Sequence, residues 1–301
     1  MTRRIAAALW LLAAGPAWPW GDEGHQIVAR IAAAHLNGRA RQAVADLLRQ
    51  DPDLAAGGSR PELADLLARA AIWPDHMPGG KGATAPWHYI DIGLFEGPAH
   101  MAVRCPDGNC IVAKMSQYLV NLKQHRADGA WPEYKELEFL AHFAGDIHQP
   151  LHCVTDGDAG GNCVNVAGFE PMRNLHAVWD ITLVRNLAAR DGSGMLAGME
   201  SRFRGKLARW QDYGSIERIA AESFEVAKTQ VYGKARPRIP VVAAFVEVQP
   251  RDCATQAPEG VRTVQVQGPR SYGAASLNVV RAQLYKAGVR LAAMLNAIYE
   301  E

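Results

Sequence analysis

Three histidines and one carboxylate fall within the eleven residues His142-Phe-Ala-Gly-Asp146-Ile-His148-Gln-Pro150-Leu-His152. A helix entering from Pro132 stacks His142 and Asp146, four apart, on one face, where both can converge on one cation. Pro150 ends that helix, so His152 returns toward the same place from another direction. His148, six residues from His142, points round the helix and reads as a supporting residue. The four-residue spacing recurs in Asn174-Leu-His176-Ala-Val-Trp-Asp180. Imidazole nitrogen and carboxylate oxygen are ligands that a borderline cation such as Zn²⁺ accepts. One such pair alone is more often an exposed polar pair or a satisfied core histidine. Two pairs, set among Phe139-Leu140-Ala141 and Leu175, Ala177 and Val178, reverse that weighting, because ionisable groups facing an apolar core need a partner and a cation supplies one.

Other segments carry the same residue types. His25 lies in Trp20-Gly-Asp-Glu-Gly24-His25 at a helix start, where alone it reads as a simple polar residue. Ile72-Trp73-Pro74-Asp75-His76 and Pro86-Trp87-His88-Tyr89-Ile90-Asp91 read as loops ordered by aromatic packing, and such loops often carry site residues. The glycines of Asp156-Gly-Asp-Ala-Gly160-Gly161-Asn162 allow a ligand close to the backbone.

The elements that must position these residues are mainly helical. Apolar residues at helical spacing from Ile27 to Leu36 start the series. Helices are expected at 39–50, 61–71, 111–125, 132–146, 174–189, 195–210, 215–231 and 274–299. The stretch 236–270, with paired valines separated by Pro250 and Pro258, breaks the pattern and suggests a small β-hairpin or an irregular excursion. The expected fold class is therefore all-α, in one domain from residue 20 to 301, with that possible excursion.

With 301 residues, 49% of them hydrophobic, the chain can bury a substantial core. A net charge of +1 gives no bulk basic footprint for a polyanion. Met1-Thr-Arg-Arg, the apolar run Ile5–Ala14 and the small residues up to Ala17 have the three-part form of a secretory signal, placed at 1–19. That run is too short to span a membrane. Five cysteines fit an exported protein, secreted or periplasmic. Cys105 and Cys110 read as a disulfide-closed turn, Cys153 and Cys163 could form a second bridge, and Cys253 is then left over. No nucleotide-binding glycine loop or nucleophile elbow occurs.

Six motifs then occur in a familiar order: Trp-Gly-x-x-Gly-His from Trp20, Trp73-x-Asp75, Trp87-His-Tyr-Ile-Asp91, the stretch from His142 to His152, Gly160-Gly-Asn162 and Asn174-Leu-His-x-Val-Trp-Asp180. The chain resembles the zinc-dependent single-strand-specific nucleases of the S1/P1 type, which share a helical fold with zinc phospholipase C. The resemblance runs from Trp20 to about residue 231 and resumes at 287–296; the 236–270 stretch lies outside the family pattern. It implies three zinc ions: one held by Asp75, His88, His142 and Asp146, a second by His152, His176 and Asp180, and a third by His25, Asp146 and the α-amino nitrogen and carbonyl oxygen of Trp20. It also implies catalytic roles for Asp75 and Asp146. Tyr89 and Asp91, beside His88, and Asn162, after the paired glycines, are the candidates for holding the substrate nucleotide, with core packing and turn geometry as the competing reading. The implied substrates are single-stranded DNA and RNA, cut by a metal-activated hydroxide to products ending in 5′-phosphate, together with 3′-nucleotides. A monomer with no membrane partner is expected. The third zinc requires a free amine at Trp20. A cut there leaves Pro19 beside the scissile bond, so either trimming follows a cut after Ala17 or the third site is altered. Rival readings are a zinc phospholipase C and a non-catalytic zinc-binding protein.

Overall fold

The computed structural model describes residues 20–55, 61–127, 129–166, 168–172, 174–233, 262–264 and 269–300, with side chains described except at 55, 262–264 and 269–271. The expected signal segment 1–19, Cys253 and most of 236–270 lie outside the described residues.

The site-bearing helix α6, Glu133–Asp146, is buried along its whole length from Lys135 to Asp146. Pro132 caps its start, where a missing N–H costs nothing. Burial on every side means that even its charged residues need partners. Lys135 finds them in Asp51 at 2.9 Å and Glu138 at 2.8 Å, with its Nζ 3.6 Å from the Trp73 ring centroid.

Around α6 pack α1 (Asp22–His35), α2 (Gly38–Leu48), the single turn α3 (Pro52–Ala55) leading to α4 (Leu63–Ala70), and α5 (Ile111–Lys123). The last helix, α12 (Pro269–Ile298), runs along α1, α6 and the helices between. Those between are α7 (Leu175–Ala177), α8 (Leu183–Asp191), α9 (Met195–Phe203), α10 (Leu207–Gln211) and α11 (Ile216–Val226). The apolar faces meet in one core that includes Trp20, Tyr118, Phe139, Phe143, Trp179 and Phe224. No helix among the described residues is long and apolar enough to cross a membrane.

The all-α expectation holds, with breaks that periodicity does not reveal. The helix expected at 174–189 is α7, a π-helical turn at Val178–Thr182 and α8; the one expected at 195–210 is divided by a tight turn at Arg204–Lys206. The expected hairpin is not what the described part of 236–270 forms. Arg262–Val264 pairs in parallel with Val164–Val166, a distant strand, whereas a hairpin arm pairs antiparallel with its sequence neighbour.

Cys105 and Cys110 are bridged, as their spacing suggested. The Cys153–Cys163 alternative fails: Cys163 is disulfide-bonded, but Cys153 is a free, buried thiol. Cys153 closes the tight turn Pro150–Cys153, and its Sγ lies 3.5 Å from the Ile147 carbonyl oxygen, toward the core.

Candidate metal centre

Three of the candidate histidines are each aimed by a backbone carbonyl. A carbonyl oxygen only accepts, so the ring nitrogen facing it carries the proton. His142 Nδ1 donates to Ala71 O at 2.8 Å, His152 Nδ1 to His88 O at 2.8 Å, and His176 Nδ1 to Gly160 O at 2.8 Å. All three therefore turn Nε2 inward, the arrangement that fixes the tautomer of a metal-ligating imidazole.

Glycine makes two of these placements possible. Gly160 has φ +60°, and a Cβ there would lie 2.5 Å from Leu151 O. Gly145 lies where α6 meets α1, and a Cβ on it would come within 2.7 Å of His25 Nδ1. The indole of Trp20 closes the same junction, donating from Nε1 to Gly145 O at 2.8 Å.

The inward atoms form three groups, each with ligand atoms within 4.8 Å of one another: His25, His142 and Asp146; Asp75, His88 and His142; and His152, His176 and Asp180. Asp146 connects the first two. Its Oδ2 lies 2.9 Å from His88 Nδ1 and 3.1 Å from His142 Nε2, while its Oδ1 lies 3.4 Å from His25 Nε2. In the third group, Asp180 Oδ2 is 3.1 Å from His176 Nε2. The π-helical turn at Val178–Thr182 carries Asp180.

The donor set fits a metal on two grounds. His152 Nε2 and His176 Nε2 lie 3.2 Å apart, with both Nδ1 protons committed to carbonyls, so two lone pairs point into one space. Buried polar atoms without a hydrogen bond collect in the same place: His25 Nε2, Asp146 Oδ1 and Asp180 Oδ2. Such orphans are costly unless something positive satisfies them.

Protonation follows the same demand. Burial disfavours the His142 imidazolium, yet Asp146 and Asp75 outweigh it and push the ring up to about 10. Without a cation, a proton on His142 supplies the positive charge. Burial raises Asp146, but His142 and His152 hold it well below the usual carboxylate range. His88 is pushed down to about 3 by burial and by the Lys81 ammonium.

Every residue expected to ligate through its side chain reaches one of these groups. Tyr89 and Asp91, expected to contact substrate, are half-buried on either side of buried Ile90, whose N–H donates to His152 O at 2.8 Å. Alternation along this extended segment turns both away from the face that Ile90 covers. Asn162 is also half-buried, and its Nδ2 donates to Ala159 O at 2.9 Å. His148 faces elsewhere: its Nδ1 donates to Ala144 O, and its Nε2 accepts from Arg290 Nη1 at 3.1 Å.

Two contributors escaped sequence reasoning. Lys81 makes a close ion pair with Asp75 Oδ1. It sits in Gly79-Gly80-Lys81-Gly82, where no period or motif signals a role. Gln149 donates to Asp180 Oδ1 and accepts from Leu151 N at 2.6 Å, joining the two His/Asp segments. Its signal was available, since it directly precedes Pro150 and caps the turn carrying His152.

The S1/P1 Nuclease family model matches residues 20–300. The chain is 28% identical to Endonuclease 2 of Arabidopsis thaliana over 97% of this chain and 94% of that one. It is 28% identical to Nuclease S1 of Aspergillus oryzae over 56% of each, and 28% identical to Nuclease P1 of Penicillium citrinum over 56% of this chain and 59% of that one.

Proposed function

The chain belongs to the S1/P1 nuclease family, and from that premise we propose that it is an exported zinc enzyme that cleaves single-stranded DNA and RNA to products ending in 5′-phosphate and removes phosphate from 3′-nucleotides. The observation that carries the metal reading is the pair of Nε2 atoms of His152 and His176, 3.2 Å apart beside Asp180, with both Nδ1 atoms turned to backbone carbonyls.

In this reading three zinc ions are held. Asp75, His88, His142 and Asp146 hold one, and His152, His176 and Asp180 hold another. His25, Asp146 and the α-amino nitrogen and carbonyl oxygen of Trp20 hold the third, which requires that export free the Trp20 amine. Bound zinc supplies Lewis acidity at the phosphoryl group and lets water act as a nucleophile near neutral pH.

The chain's own residues do the rest. Asp146, with an oxygen toward each side, sets the spacing of two of the groups. Asp75 keeps its negative charge through Lys81 and the facing histidines, and orients the attacking water. Gln149 holds Asp180 in place beside His176. Tyr89, Asp91 and Asn162 take the base and sugar of a splayed nucleotide. A recessed cluster admits such a nucleotide more readily than a stacked duplex, which is the physical basis for single-strand preference. The protein acts as a monomer.

The test is native intact mass of the exported protein, followed by hydrolysis of single-stranded DNA, RNA and 3′-AMP. A chain starting at Trp20 with three zincs and activity on all three substrates is the expected result. Release of phosphorylcholine from lecithin, with single-stranded DNA left intact, would establish a phospholipase instead. Zinc-loaded protein inert toward RNA and 3′-AMP would establish a binding protein.

A further inference from the structure

Residues 202–210, Arg-Phe-Arg-Gly-Lys-Leu-Ala-Arg-Trp, hold four cations and two aromatic rings with no carboxylate, in a chain whose net charge is only +1. Arg202, Arg204, Lys206 and Arg209 are all exposed, and among the described residues none of them makes a salt bridge. Their charge is arranged around aromatic faces. Arg202 lies 5.9 Å from the Phe203 ring centroid, and Lys206 Nζ lies 5.9 Å from Phe203 and 5.6 Å from Trp210. Lys286 Nζ, from α12, lies 5.7 Å from the same indole. Trp210 is half-buried and opens onto a cavity of about 470 Å³ shared with Arg209, Arg218, Glu222 and Lys286.

We propose that this surface of α9, α10 and α11 is an exosite for the backbone of single-stranded nucleic acid, separate from the candidate metal centre; the proposal rests on the nuclease reading above. Cations free of salt bridges beside aromatic faces are what a strand needs, phosphates meeting the charges while a base stacks on the ring.

The nearby carboxylates do not cancel the charge. Glu222 is already engaged by Arg290 at 2.7 Å, Lys286 at 3.4 Å and Arg218 at 3.6 Å. Glu200 is held by the Tyr285 hydroxyl at 2.6 Å and by His35 at 3.0 Å, and of the four cations only Arg204 acts on its charge. Asp212 and Glu217 are exposed and lie beyond the carboxylate-free segment, and Glu225 joins Glu222 in the cavity wall, where the two face the four cations Arg209, Arg218, Lys286 and Arg290. A membrane surface fits less well, because the large apolar side chains that protrude from the described residues are Phe95, Val103 and Val120, on other elements.

The floor of the cavity is hydrogen-bonded to His148, just past the end of the helix that carries Asp146. Arg290 is 2% exposed and donates to Trp210 O at 3.2 Å, to Glu222 at 2.7 Å and to His148 Nε2 at 3.1 Å.

The experiment compares the wild-type holoenzyme with R202E/K206E/R209E and with the milder R202Q/K206Q/R209Q, on a dinucleotide and on an oligothymidylate of about 30 nucleotides. A dinucleotide has a single phosphodiester and cannot occupy both places. The expected result is a KM for the long strand raised roughly tenfold or more by reversal, with kcat and dinucleotide cleavage unchanged. The slope of log affinity against log salt should fall by about 2, at roughly 0.7 for each phosphate that the variant no longer neutralises. Equal KM and equal salt slope in all three proteins would overturn the exosite. So would wild-type binding to phosphatidylserine vesicles, abolished in the variants, with no change toward the strand. If wild type cleaves neither substrate, the nuclease reading fails; the exosite is then judged by fluorescence anisotropy of a labelled phosphorothioate strand, which must bind wild type and not the reversal variant.

Discussion

At the scale of single residues, His142 is where charge balance can be read directly. Its ring is pushed up to about 10, by Asp146 and Asp75 acting against burial, from an ordinary value near 6.5. A group raised in the folded state adds stability that is fully present below its unfolded pKa and lost as pH rises through the folded one. Protein stripped of metal by EDTA should therefore lose this contribution between pH 6.5 and about 10. His25, His88 and His152 are shifted the other way, chiefly by burial, so the difference between wild type and His142→Gln isolates the effect. Thermal melts in EDTA should show wild type ahead at pH 6 and the gap closed by pH 10; a constant gap would contradict the assignment. Lys81 invites a second test. Lys81→Ala removes the ammonium paired with Asp75, and about 10- to 100-fold loss in kcat with intact fold is expected, the range typical for groups that support metal ligands. These two residues also mark what sequence could show. His142 was legible because a His/Asp pair four residues apart, inside an apolar helix, is hard to satisfy without a cation. Lys81 was not, because a lone lysine among glycines looks like any solvated loop.

At the scale of elements, the centre depends on α1 and α6 meeting closely. Gly145 sets that distance: a methyl group there would sit 2.7 Å from His25 Nδ1. Gly145→Ala should push His25 off Asp146 at a cost of roughly 1–3 kcal/mol, the range for overpacking a dense core. Urea unfolding and metal analysis check it together, with lower stability and loss of metal from the His25 group expected. Unchanged metal content would show that α1 can shift without disturbing the ligands. The helices themselves were legible from apolar period and from Pro132, but their interruptions were not. The π-helical turn carrying Asp180 depends on contacts from distant segments, among them Gln149, which sits thirty-one residues away. Strand 262–264 pairs with 164–166 across nearly a hundred residues, and local pattern suggested a hairpin or an irregular excursion instead. Likewise, spacing allowed a bridge from Cys153 to Cys163, but Cys163 is bonded to another cysteine and Cys153 stays a free, buried thiol.

At the scale of the whole molecule, the candidate ligands come from chain segments that pack together only in the native fold: α1, the loop at Asp75, the turn ending at His88, α6, the turn at His152 and the π-helical turn at Asp180. In an unfolded chain those segments are far apart, so whatever binds the assembled cluster also stabilises the fold. Each site contributes about 4 kcal/mol when free metal is a thousandfold above its dissociation constant. At about 2.1 cal/mol/K of unfolding entropy per residue, each kcal/mol moves the melting midpoint of a chain of this size by roughly 1.5–2 °C. Three filled sites would then raise Tm by about 20 °C over the EDTA-treated protein, and two by about two-thirds of that. The number of steps matters more than the total. Calorimetry during back-titration with zinc should show successive increments, with the His152, His176 and Asp180 group filling independently of the groups that share Asp146. Replacing Asp180 with Asn should remove one increment and leave the others. Loss of all increments together would mean that the groups form one cooperative cluster, and the bridging role of Asp146 would then extend to His152, whose Nδ1 already lies 3.7 Å from Asp146 Oδ1.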